Sequence, residues 1–172
     1  MNLSIEARNI LEKHGYLTFN FREEATSFLF EDQSLLGIVC ACENVCEILN
    51  RWKTVQDSFL FRSAAQLSGD PQKAWNAYSV FLTVEKARRD QQSDLIKIEE
   101  DLRGTRKIVG HGILTHADLE NSLSPLLPIR QKVLLTTEDY RERLRIRIEI
   151  PELLGGLTGK EILQMLEQRH ED

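Results

Sequence analysis

The run Leu35-Leu36-Gly37-Ile38-Val39-Cys40-Ala41-Cys42 constrains the fold more than any other segment, because it holds eight consecutive residues with no charge and no strongly polar side chain. A strand with one face in water alternates apolar and polar residues, so an unbroken apolar run implies a strand covered on both faces. The chain must therefore supply helices to both sides of a sheet. Residues 26–31 read as a second strand, and Asp32-Gln33-Ser34 between the two suits a tight turn, which predicts a hairpin.

The covering elements are visible nearby. Val45, Ile48, Leu49, Trp52, Val55, Phe59 and Leu60 recur at spacings of three and four, which predicts a long helix over about 43–67, stopped by Gly69-Asp70-Pro71. A shorter helix is expected at 4–14, with Ser4 as its cap and Gly15 just beyond its end. Leu17, Phe19 and Phe21 then alternate with polar residues as a half-buried strand would. Residues 75–83, rich in aromatic and β-branched side chains, favour a strand, and 85–102 return to a charged helical pattern that Gly104 closes. Residues 117–123 suit a short helix, and the prolines at 125 and 128 make 124–129 extended or turning. Further on, strict alternation at 144–150 predicts a strand with one charged face, and Thr158 with Glu161 fits a capping box before a last helix, together spanning 144–169.

These elements predict an α+β fold: one domain over residues 1–172, with a mixed, mainly antiparallel sheet of about five strands packed by a long central helix and shorter ones. The net charge of −5 argues against a free-standing nucleic-acid binder, which needs a basic surplus to displace the counterions of phosphates. No apolar stretch approaches the roughly 20 residues that span a bilayer, and no signal peptide is evident, so a cytoplasmic protein without membrane contact is expected. Cys40, Cys42 and Cys46, odd in number, are expected to be reduced thiols.

No catalytic, cofactor or metal site is expected. The cysteine spacing is not a strong zinc pattern and lacks a second pair of ligands, so small buried hydrophobes are the plainer reading. His111 and His116 lie five apart, off the spacing of one helical face. The stretch 154–161 fails as a phosphate loop, with Leu154 in place of the first glycine and Glu161 in place of Ser or Thr after the lysine.

The densest polar cluster is residues 99–107, where Glu99, Glu100 and Asp101 are followed by Arg103, Arg106 and Lys107. Three roles are open to it. The carboxylates could hold magnesium in a nuclease, although consecutive acids on a helix point across a wide arc. The bases could meet a carboxylate-bearing partner or a nucleic-acid backbone. Or the acids could pair with the bases and order the turn. Arg143, Arg145 and Arg147 project from one face of the late strand, where they could touch phosphates or simply protect a solvated edge.

Several segments together carry a resemblance: Phe28-Leu29-Phe30-Glu31-Asp32, Leu36-Gly37, Trp52, the stretch from Lys73 through Trp75-Asn76-Ala77-Tyr78 to Thr83, and the stretch from Ile98 to Ile108. Over about residues 28–130 the chain resembles the middle components of bacterial ABC-three-component defence systems, including the small subunit of Lamassu-type anti-phage complexes. The resemblance implies a non-catalytic adaptor that sits with an SMC-like ATPase subunit and an effector subunit, often a nuclease, and meets DNA indirectly through the complex. It marks Trp75, Asn76, Tyr78, Glu99, Glu100, Asp101, Arg103, Arg106 and Lys107 as fold-defining or interface positions. A nuclease built on 99–107, or a minor DNA-binding module, is the alternative.

Overall fold

A computed structural model describes residues 2–21 and 26–127, all of which belong to the compact unit formed by residues 1–129. The expected strand at 144–150, the capped helix after Thr158, and Arg143, Arg145 and Arg147 lie outside the described residues. In chain order the elements are α1 (Leu3–Lys13), β1 (Leu17–Asn20), β2 (Ser27–Glu31), β3 (Leu36–Ala41), α2 (Val45–Gly69), α3 (Pro71–Trp75), β4 (Ala77–Leu82), α4 (Arg89–Glu100), β5 (Arg106–Gly110) and α5 (His116–Leu123), followed by a 3₁₀ turn at Ser124–Leu126.

The five strands form one mixed sheet in the order β1-β2-β3-β4-β5, and the architecture is α+β as expected. The apolar strand β3 is central. Its hairpin with β2 closes at Asp32, whose carboxylate accepts from the backbone of Ser34 at 2.7 Å and of Leu35 at 2.8 Å. The pairings divide evenly between two types, instead of being mainly antiparallel: β1/β2 and β2/β3 are antiparallel, β3/β4 and β4/β5 parallel. The cause is that α2 and α4 each carry the chain back across the sheet, and such crossovers return the next strand in the same direction.

Alternation along the strands sorts the core into two layers. Phe28, Phe30, Val39, Val80, Leu82 and Ile108 pack beneath α1 and α5, and Leu36, Ile38, Cys40, Ala77 and Phe81 pack beneath α2 and α4. Burial of a single such aliphatic or aromatic side chain stabilises by about 1.5–3 kcal/mol, so β3, which feeds both layers, anchors the sheet. Among the described residues no helix is long and apolar enough to cross a membrane.

Several boundaries depart from expectation, each because a polar side chain captures a backbone amide. Asn2, not Ser4, caps α1 by accepting from Ile5, and Ser4 is buried inside the helix. Asp70 ends α2 and at once caps α3, accepting from Gln72 at 3.0 Å and Lys73 at 3.2 Å, with Pro71 at the first helical position. Trp75 is thereby the last residue of a helix and not the first of a strand. Glu85 does not open α4; its carboxylate accepts from Val45 at the start of α2 at 2.6 Å, and α4 begins only at Arg89.

Gly37 shows how tightly the layer under α1 is filled. It lies opposite Phe30 in the β2–β3 register, and a Cβ there would come within 2.4 Å of the Phe30 ring. Tyr16 meets the same ring edge-on at 5.6 Å between centroids. Gly37→Ala is expected to lower stability by about 2 kcal/mol through overpacking, read as a lower urea midpoint. Gly69→Ala, where a Cβ meets nothing within 4 Å, leaves the midpoint unchanged or raises it.

Candidate functional site

Trp52, Gln56 and Leu60 stand four residues apart on α2 and so share one face of the helix. The connection from α4 to β5 lies along that face. Lys107 Nζ sits 5.5 Å from the Trp52 ring centroid. Thr105 Oγ1 donates to Gln56 Oε1 at 2.9 Å and lies 3.0 Å from Ser79 Oγ, in a buried polar group that ties α2, β4 and the turn together. Gly104 adopts φ +77, and a Cβ there would meet Leu60 Cδ1 at 2.8 Å, so both conformation and contact call for glycine.

Lys107 is the innermost member of the cluster, with its side chain 0% exposed. Its ammonium donates to the carbonyl of Asp101 and, at 2.7 Å, to that of Arg103, and lies 3.6 Å from Asp101 Oδ1. Asp101 is the cap residue of α4, whose carbonyl a cation suits, and the Arg103 carbonyl in the following turn also accepts from Thr105 N–H at 3.0 Å. Burial pushes the Lys107 ammonium below its usual value and outweighs the pull of Asp101 in the opposite direction. Asp101 accepts from the Arg103 backbone at 2.9 Å and pairs with the Arg103 guanidinium at 2.6 Å. Arg103, through its guanidinium and then its N–H, holds the Asp101 carboxyl well below the usual carboxylate range.

The other acids turn elsewhere. Glu99 Oε1 accepts from Val109 N–H at 2.9 Å, and Glu100 is exposed at the last position of α4. The three carboxylates therefore diverge, as consecutive helical positions dictate, and the described residues hold no group of three or more His, Cys, Asp or Glu placed to bind a metal. Of the remaining candidates, Asn76 ends α3, and its carbonyl accepts from Leu36 N–H at 3.3 Å, which joins α3 to β3. Tyr78 is half-buried, its hydroxyl accepting from the exposed Arg106 guanidinium at 3.3 Å. Trp75 is 82% exposed.

The nine candidates thus separate by position. Glu99, Asp101, Lys107 and Asn76 hold elements together, with Lys107 buried among them. Trp75, Glu100, Arg103 and Arg106 stand at the surface, with Tyr78 between the two groups. Beside Arg103 a groove of about 420 Å³ runs between α2 and α4, lined by Leu49, Trp52 and Ile98 together with Lys53, Asp94 and Lys97.

Cys40 and Cys42 are buried with sulfurs 3.8 Å apart, while Cys46 is exposed on α2, so the third sulfur does not join them. The two thiols share a sulfur–sulfur hydrogen bond that lowers Cys40 and, together with burial, pushes Cys42 up. His111 accepts from Ala87 N–H at 3.4 Å, and His116 lies between Glu6 and Glu120, at 3.6 and 3.7 Å; the two histidines serve separate contacts. Sequence reading missed Gln56 and Thr105, which carried no signal beyond a polar residue inside an apolar stripe and a threonine after glycine.

No family model, no curated protein and no solved structure matches the chain.

Lys107→Met is expected to destabilise by about 2 kcal/mol, since the Asp101 carbonyl loses its ammonium donor inside the structure and the Arg103 carbonyl keeps only Thr105 N–H. Arg106→Ala, at the surface, changes stability by less than about 0.5 kcal/mol. Urea unfolding of both variants checks the contrast.

Proposed function

We propose that the chain is a non-catalytic accessory subunit, the middle component of an SMC-like ATPase defence complex in the cytoplasm, bridging the ATPase and an effector nuclease. One observation carries the reading: Glu99, Asp101 and Lys107 of the acid-base block are engaged in holding α4, β5 and α2 together, while large hydrophobic side chains stand in water. Trp75 is 82% exposed, Phe61 84% and Leu102 73%. Tryptophan is the residue most enriched among those that dominate protein interfaces, because it brings a large rigid surface at little entropic cost. The groove between α2 and α4 adds a concave surface lined by charged side chains and by Leu49, Trp52 and Ile98. The resemblance over 28–130 supplies the identity of the partners, and DNA is met through them.

Co-expression with the products of the genes flanking this reading frame tests the proposal, which expects an SMC-like ATPase and an effector among them. The wild-type chain is expected to co-purify with the ATPase, and alone to neither hydrolyse ATP nor cut DNA. Trp75→Ala weakens co-purification by at least about tenfold, as loss of a central interface aromatic does, with no change in melting temperature. Magnesium-dependent cleavage by the purified chain, abolished in Glu100→Ala, would refute the proposal in favour of a nuclease.

A further inference from the structure

The two edges of the sheet are finished differently. At β5 the outward N–H of Val109 is taken by Glu99, and Lys107 points a charge inward from the same strand, which is a common protection for an edge. At the other edge, among the described residues, β1 pairs with β2 alone, in the register Leu17↔Glu31 to Asn20↔Phe28. The β2–β3 hairpin determines which groups of β1 face outward. Asp32 N bonds to Leu35 O and Ala41 N to Thr26 O, so even-numbered residues of β2 serve β3, and Leu29 and Glu31 serve β1. Their partners Phe19 and Leu17 bond inward, and Thr18 and Asn20 present their backbone groups to the open side.

Among the described residues no strand covers that side. Leu17-Thr18-Phe19-Asn20 contains no lysine, proline or other charge to discourage pairing, and Leu17 is 62% and Phe19 46% exposed on one face. We propose that β1 pairs antiparallel with β1 of a second copy of this chain, across a two-fold axis at Phe19, joining two five-stranded sheets edge to edge. This alignment sets Phe19 opposite its own copy, Leu17 opposite Phe21, and Thr18 opposite Asn20, so the outward amides and carbonyls of Thr18 and Asn20 are exchanged between copies.

Charge selects this register. On the face under α1, Thr18 Oγ1 donates to Glu12, and Arg8 donates to Asn20 Oδ1 at 2.9 Å while lying 4.9 Å above the Phe28 ring. Superposing Thr18 of one copy on Asn20 of the other therefore brings Glu12 towards Arg8, once on each side of the axis. Moving the axis to Thr18 would set Glu12 against Glu12, and moving it to Asn20 would set Arg8 against Arg8, so both neighbouring registers are repelled. The inference stands apart from the subunit reading, since it concerns the opposite edge of the sheet.

Sedimentation equilibrium of the full chain at rising concentration tests it. The expected mass climbs from the 19.9 kDa monomer towards twice that value. Phe19→Lys is expected to hold the mass at the monomer while retaining the wild-type circular dichroism melting curve, as suits an exposed position. Arg8→Glu and Glu12→Arg each weaken dimerisation at least about tenfold, the cost of close like charges across a pairing, and the double swap restores it. A wild-type chain monomeric at every concentration, or a dimer indifferent to Phe19→Lys, overturns the inference. So does a monomer whose β1 amides gain hydrogen-exchange protection only when the ATPase is added, which would give the edge to that partner.

Discussion

An ammonium group withdrawn from water must be met by acceptors, and the placement of Lys107 organises everything around it. Its nitrogen lies over the Trp52 ring and gathers the carbonyls of Asp101 and Arg103, so one side chain ends α4, orders the turn and seats β5 on α2. Arg103 then neutralises Asp101 from outside, and Thr105 with Gln56 and Ser79 closes the polar interior. A buried, satisfied polar group of this kind is costly to break from either end.

Its functional consequence is one of subtraction. Residues whose types suggest chemistry, three acids and three bases within nine positions, divide into an internal brace and a surface remainder of Glu100, Arg103 and Arg106. The same brace sets the shape of the surface on that side, because it holds α4 against α2 and so defines the groove between them. The exposed Trp75 lies at the end of α3, on an element tied to the central strand through Asn76.

Local patterns were legible in the sequence, and the relations between distant segments were not. The unbroken run of β3, the hairpin at Asp32 and the stripe of α2 are readable because each is set by neighbours in the chain. Trp75 ends a helix and not a strand because Asp70-Pro71 starts a helix as well as stopping one, which overrides the strand propensity of the aromatic residues after it. The parallel pairing of β3, β4 and β5, the capture of α2 by Glu85 and the burial of Lys107 depend on segments far apart, and a lysine beside an arginine reads as solvated until the strand carrying it is seen to be covered. The pairing of acids with bases was one of three roles left open for 99–107; geometry now assigns it to Asp101 with Arg103 and Lys107.

The most direct test of the brace is to observe the Lys107 ammonium itself by lysine-selective ¹H–¹⁵N correlation spectroscopy at neutral pH. One ammonium signal is expected to exchange slowly with water and to shift upfield under the Trp52 ring, and to vanish in Lys107→Met. A spectrum in which Lys107 exchanges as fast as the surface lysines would contradict the account.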